Sequence, residues 1–339
     1  DHRDLHSFPT RRSSDLNLTE LDLSRTNLSS ENICEVIETL SNNQHLSELT
    51  IKLNEIGLTG INLFGFIRGI LLADKDKWVG FELNDNKMTK EDVKTLLALF
   101  ERLPNLRYLS LSHNFSSEME GIGNELTQVF KLKSLLEFRL AGSPEKHLGK
   151  ELETFLDQYP ANSNLRLVDI SGQCGGDDCG LLISTILRRE SSLEEFYCDG
   201  MNFQHFEQFE NVTQAVLTND RIFTFPFMTK DSIRLIQRAD NELKQHLVNR
   251  LASLQQEIIK KINVNRSKQN KPNELPFYVD SDIEKFAQKI SMRGRHHIKS
   301  DVYRRHSAVA IELGLPLPFQ DADGIVEDGG RIEYIDIGD

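Results

Sequence analysis

LRYLSLSHNFS, residues Leu106–Ser116, decides the fold. Leu106, Leu109 and Leu111 are apolar, Arg107, Tyr108, Ser110 and Ser112 separate them, and Asn114 follows three residues after the last leucine. Alternation from Leu109 to Ser112 is the mark of a half-buried strand, and an asparagine just beyond it marks a turn. The spacing recurs. LTELDLSRTNL from Leu18, LSELTIKLNEI from Leu46 and WVGFELNDNKM from Trp78 carry it. Looser copies follow as LLEFRLAGSPE from Leu135, LRLVDISGQCG from Leu165 and LEEFYCDGMNF from Leu193, with an eighth start, IFTFPF, at Ile222. Successive starts lie 28, 32, 28, 29, 30, 28 and 29 residues apart, a constancy that points to one supersecondary unit stacked repeatedly on itself.

Between the strand segments the apolar spacing changes to threes and fours. Ile33, Val36, Ile37 and Leu40 show it, as do Val93, Leu96, Leu97 and Phe100, and Phe206, Phe209, Val212 and Val216. One buried helical face per repeat is implied. Thr89 with Asp92 in MTKEDV resembles a capping box with Asp in place of Glu. A strand and a helix that cannot each bury an apolar face alone must share a core with their neighbours. The expected fold is therefore an α/β solenoid over residues 17–228, with seven to eight repeats, a parallel sheet on the concave side and helices on the convex side. On the template L-x-x-L-x-L-x-x-N-x-L and the length of its period, this part resembles the ribonuclease-inhibitor-like class of leucine-rich repeat proteins. That resemblance implies architecture and little chemistry.

The template asparagines are read as Asn54, Asn86 and Asn114, whose amides would satisfy backbone groups at the turn leaving each strand. Five N-x-[ST] sequons occur, at Asn17, Asn27, Asn114, Asn211 and Asn265, and Asn114 is discounted because a buried amide cannot carry a glycan.

Alternate strand residues point away from the core, so a partner-binding face can be written down. It contains Glu20, Asp22, Glu48, Glu82, Glu137, Asp169, Glu195 and Asp199 against Lys52 and Arg139, with Tyr108 and Tyr197 among them. Such an excess of acids would orient a protein partner with a basic surface. The plainer reading is that exposed strand positions are polar and follow the net charge.

That net charge, −12, argues against nucleic-acid binding, which requires Lys and Arg to neutralise phosphates. The longest apolar run, INLFGFIRGILLA at 61–73, is interrupted by Asn62 and Arg68 and is too short to span a membrane. Cys34, Cys174, Cys179 and Cys198 read as reduced thiols, so the chain is placed in the cytoplasm. No catalytic, cofactor or metal site is expected. There is no Ser nucleophile elbow, no P-loop and no HExxH pair, and CGGDDC (174–179) lacks the further ligands of a zinc site.

After the repeats, Pro226 fits an edge strand, so IFTFPF reads as the last rung. One long helix is expected over 229–265, with Ile233, Ile236, Leu243, Leu247, Leu251, Leu254, Ile258 and Ile262 forming a stripe that either caps the repeats or pairs with a second copy. A polar linker over 266–278 and a small helical and strand region over 279–339, with a basic run at RGRHHIKSDVYRRH, complete the chain.

Solenoid, then NDRIFTFPFMTKD, then a Leu/Ile helix is similar to the CARMIL family of actin capping-protein regulators, which implies an actin-cytoskeleton role. The family's capping-protein interaction motif and Pro-rich tail are not recognisable. The RanGAP class of GTPase-activating proteins shares the repeat length, without its acidic tail here. The readings to be weighed are a non-enzymatic scaffold and, alternatively, a GTPase-activating protein.

DHRDLHSFPTRRSSDL, residues Asp1–Leu16, has no apolar periodicity and resembles a translated sequencing adapter. It is set aside from the fold. Deleting residues 1–15 is expected to leave the thermal midpoint unchanged within a few degrees, and a larger drop would show that the segment packs on the repeats.

Overall fold

The computed structural model describes residues 18–72, 74–189 and 192–271. The adapter-like stretch, residues 272–278 of the expected 266–278 linker and the 279–339 region lie outside the described residues. Two units are formed, one from the described residues up to Gly175 with Ser192 and Leu193, the other from Gly176–Arg189 and Glu194 onward.

In the first unit, β1 (Glu20–Asp22), β2 (Leu49–Lys52), β3 (Trp78–Glu82), β4 (Tyr108–Ser110), β5 (Glu137–Arg139) and β6 (Leu167–Asp169) pair in parallel and in chain order. Parallel neighbours need a return path, which α1 (Ser30–Asn42), α2 (Gly60–Leu72), α3 (Lys90–Phe100), α4 (Ile122–Leu126) and α5 (Glu151–Asp157) supply. This is the leucine-rich repeat architecture. Ile51, Leu53, Phe81, Leu83, Leu109, Leu111, Phe138 and Leu140 point into the core and are buried, whereas Leu21 and Leu23 of the first repeat are only half-buried. Rings fill the space between strands and helices: Phe81 stacks on Trp78 at 5.3 Å and on Phe100 at 4.8 Å, and Phe66 meets it edge-on at 5.4 Å. The Trp78 indole N–H donates to Ser41 Oγ at 3.0 Å, so the one polar atom of that ring is satisfied. At α3, Thr89 Oγ1 accepts from Asp92 N at 3.2 Å and Asp92 Oδ2 accepts from Thr89 N at 2.9 Å, the reciprocal cap its sequence implied.

The register of the second repeat differs from the sequence reading. Ile51 pairs with Leu21 on one side and Phe81 on the other, so this repeat starts at Glu48, not Leu46, and the first two spacings are both 30 residues (18 to 48, 48 to 78). The cause is the period of two. Leu49, Ile51 and Leu53 alternate with polar residues, and a slip of two leaves every side chain on the same face, so the pattern alone cannot choose between the registers. Two assignments change with it. Glu48 moves off the strand, and Asn54 lies level with Asn84 instead of Asn86.

The ladder of buried amides is accordingly shorter than expected. Asn86 Oδ1 accepts from Ile56 N and Leu58 N of the preceding repeat, and its Nδ2 donates to Leu53 O. Asn114 does the same one repeat later, accepting from Asn86 N and donating to Leu83 O and Leu111 O. With both ends of its amide engaged and the residue buried, Asn114 offers no glycan acceptor in the folded chain. In the sixth repeat Gln173 takes the place of the asparagine, accepting from Leu148 N and donating to Leu140 O.

The second unit contains α6 (Gly176–Arg189), β7 (Glu195–Tyr197), α7 (Phe206–Thr218), α8 (Thr229–Arg238) and α9 (Asn241–Lys268). Thr224 forms a parallel bridge with Glu195, while Phe223 and Thr224 donate to Glu194 O, so IFTFPF does supply a last rung. Phe223, Phe225 and Phe227 are buried and Pro226 is exposed, where the missing N–H costs nothing.

The single helix expected over 229–265 is two helices. Ala239 takes extended backbone and Asp240 begins the second helix, which runs to Lys268, into the segment expected to be linker. Ile236 and Leu243 are seven residues apart, two helical turns, so the stripe continues across the break and masks it. Val248, Leu251, Leu254, Ile258 and Ile262 of α9 are buried, and the helix packs on α7 and α8 of its own chain. Arg250 pairs with Glu210, and Asn265 Nδ2 donates to Asn219 O at 2.9 Å and Ile222 O at 2.7 Å. Among the described residues no helix is long and apolar enough to cross a membrane.

Candidate functional site

On the exposed face of the first unit's sheet the register stacks two columns. One runs Glu20, Thr50, Gly80, Tyr108, Glu137, Leu167, and the next runs Asp22, Lys52, Glu82, Ser110, Arg139, Asp169. Eight of the residues expected on this face are therefore adjacent. Thr50, Gly80, Ser110 and Leu167 belong to the columns too, and the sequence reading passed over them because they carry no charge.

The columns are tied together by side-chain contacts. Lys52 Nζ lies 2.7 Å from Glu20 Oε1. Glu82 is the hub: its Oε1 accepts from Asn54 Nδ2 at 2.7 Å and Asn84 Nδ2 at 3.3 Å, and its Oε2 accepts from Tyr108 OH at 3.2 Å. Asn84 Oδ1 accepts in turn from Ser110 Oγ and Ser112 N, and Ser112 Oγ accepts from Ala141 N. Arg139 places its guanidinium 6.0 Å from the centre of the Tyr108 ring, within cation–π range, and its buried Nε has no hydrogen-bond partner among the described residues. Asp169 accepts from Ser171 N at 3.0 Å. The carboxylate of Glu137, half-buried between Tyr108 and Leu167, has no hydrogen bond or ion pair among the described residues.

The groups whose pKa is displaced here all move away from neutrality. Hydrogen bonds from Ser24 hold Asp22 below its usual value, and the hydrogen bond to Glu20 holds Lys52 above its own. Burial, helped by the Glu82 charge, pushes Tyr108 up to about 12. Fixed charges and a permanently protonated phenol suit recognition, whereas proton transfer needs a group poised near neutral pH.

Four expected residues stand elsewhere. Glu48 is exposed ahead of β2 and reaches Arg107 at 3.4 Å. Glu195 and Tyr197 belong to β7 in the second unit, where Tyr197 OH donates to Glu195 Oε2 at 2.9 Å. Asp199 is not a free surface acid: its carboxylate accepts from Lys230 N at 2.9 Å and Asp231 N at 3.3 Å, at the first turn of α8. Burial, then the charge of Asp231, raises it to about 7. Asp231 is wholly buried; its Oδ2 accepts from Gly200 N and Met201 N, and its Oδ1 from Asn202 N. It does for the seventh repeat what Asn86 does for the second. Nothing in the sequence near Asp231 signalled this, since an acid in the first turn of a helix is ordinary.

No family model matches the chain. Over 250 residues, 71% of the chain, it is 22% identical to the Rho GTPase-activating protein gacW of Dictyostelium discoideum, and it spans 22% of that protein's length. Among solved structures, the leucine-rich repeat-containing protein LegL7 from Legionella pneumophila aligns with a TM-score of 0.46 at 15% identity, covering 83% of this chain and 92% of that one.

Proposed function

We propose that the chain is a non-enzymatic, cytoplasmic protein-interaction module whose first unit binds a partner with basic side chains across the β3–β5 part of its sheet face. The observation that carries this reading is the Glu82–Tyr108–Arg139 cluster with Glu137 beside it. Tyr and Arg are the residues most often found at binding hot spots, and here the phenol is already held by Glu82, so little side-chain freedom remains to be lost on binding. Glu137 adds a negative charge whose carboxylate has no partner among the described residues. The resemblance to actin capping-protein regulators makes proteins of the actin cytoskeleton the first partners to test.

A partner captured from lysate should be released by Tyr108→Ala and by Glu137→Lys, each lowering affinity by about tenfold or more. It should be retained by Lys94→Glu on α3. Equal capture by all three variants would refute the assignment of the face. A second reading, that the chain is the repeat portion of a larger GTPase-activating protein, is favoured by the match to gacW. Phosphate release from GTP-loaded Rho-type GTPases separates the two. The scaffold reading expects the intrinsic rate, and acceleration by the chain alone would establish the second.

A further inference from the structure

Four large apolar side chains stand in solvent on a single helix of the first unit. On α2, GINLFGFIRGILL, Ile61 is 75% exposed, Phe64 63%, Leu72 53% and Leu71 46%. At about 100° per residue these four, with Arg68 among them, fall within an arc of about 100°, one continuous stripe. The opposite side of the helix is committed to the core through Leu63, Phe66 and Ile70. A helix that is apolar all round belongs in an interior, and a patch of this kind on a surface marks a contact site.

The neighbours of the stripe define its occupant. Gly65 and Gly69 bring α2 almost into backbone contact with α1: a Cβ at Gly65 would stand 2.2 Å from Ser30 O, and one at Gly69 2.8 Å from Ile37 Cβ. Ser30 Oγ also donates to Ile61 O at 2.8 Å. With Ser30, Cys34 and Ile37 turned toward α2, the residues one step on, Glu31, Glu35 and Glu38, form the outward row along that seam. The surface is thus an apolar ridge flanked by a line of three carboxylates, with Arg68 as the one base on it.

We propose that this α1–α2 seam is a docking site for a basic amphipathic helix of a partner protein. Its apolar side would cover Ile61, Phe64, Leu71 and Leu72, and its Lys or Arg residues would face Glu31, Glu35 and Glu38. The site is independent of the sheet face. An anionic bilayer is disfavoured by the three carboxylates, and a second copy would bring the same carboxylates into the contact.

The test uses the full chain and two fluorescent peptides of about 18 residues with the same leucine face, one with lysines on its polar side and one with glutamates. The lysine peptide should bind and the glutamate peptide should not. Phe64→Gln leaves the net charge untouched, so general attraction to an acidic protein would survive it, whereas docking should weaken by about tenfold or more. Glu35→Gln with Glu38→Gln should weaken binding severalfold and flatten its salt dependence. Should Phe64→Gln fail to fold, the double glutamine variant decides alone. Equal binding of the two peptides, or no loss in the variants, overturns the proposal. So does a dimer that Phe64→Gln dissociates, or sedimentation with phosphatidylserine vesicles in preference to phosphatidylcholine ones.

Discussion

Asp231→Ala is expected to cost the second unit about 3–9 kcal/mol, because it strands three backbone N–H groups that have no other acceptor among the described residues and each such loss is worth about 1–3 kcal/mol. Gly200, Met201 and Asn202 all donate to this one carboxylate, and Asp231 is fully buried, so water cannot take its place without opening the turn. Asp231→Asn should fall between wild type and alanine. It keeps one oxygen for two of the donors, as Asn86 does, but turns an NH₂ toward the third. Urea unfolding followed by far-UV circular dichroism gives the order, and an alanine variant as stable as the asparagine one would show that the contacts do not matter.

The pH dependence has an unusual sign. Asp199 and Asp231 are both held above the ordinary carboxylate range, by burial first and, at Asp199, by the neighbouring charge. A raised folded-state value means that the stability linked to the proton is fully present below about pH 4 and is lost as pH rises through the folded value, about 7 for Asp199. The difference in stability between wild type and Asp199→Asn should therefore change between pH 5 and pH 8, wild type losing ground as pH rises. Asp220, held down to about 2 by hydrogen bonds from Lys261 and Lys268, works in the opposite sense at lower pH, and for that reason the difference is the quantity to measure.

Leu254→Ala and Leu251→Ala should each cost about 2–5 kcal/mol, the usual range for emptying a buried leucine site. Both side chains are fully buried, and α9 packs on α7 and α8, so from Val248 onward its stripe is already covered within one chain. Sedimentation velocity over a wide concentration range should then show a monomer. Concentration-dependent dimerisation abolished by these substitutions would return the stripe to the role of a pairing surface. Leu243→Ala serves as the control, since Leu243 is exposed and its loss should fall within ~0.5 kcal/mol of wild type.

Repeat count, strand positions and buried helix faces were legible because each is written as a period, and periods survive the loss of single leucines. Features without a period were not. The two-residue register of β2 is degenerate in an alternating strand, so Glu48 looked like a neighbour of Glu20 when Thr50 occupies that place. The break at Ala239 was hidden by a stripe in phase on both sides; Asp240–Asn241, a natural helix start, was its one trace. At Asp199 a surface acid by pattern proved to be bound to α8. The apolar run of α2 was visible as composition, but which of its residues face water depended on the close approach at Gly65 and Gly69.

The buried amide ladder runs in one direction. Asn86 serves Ile56 and Leu58, Asn114 serves Asn86, Gln173 serves Leu148, and Asp231 serves Gly200 to Asn202: in every case the later repeat completes the turn of the earlier one. During synthesis on a ribosome each turn therefore emerges with its donors open and waits for about one more repeat of chain, roughly 2–6 s at ordinary elongation rates, before its acceptor arrives. A nascent chain released early would expose the unfinished turn at its growing end, whereas residues removed from the front would take away none of these buried turn acceptors, each of which comes from the later side.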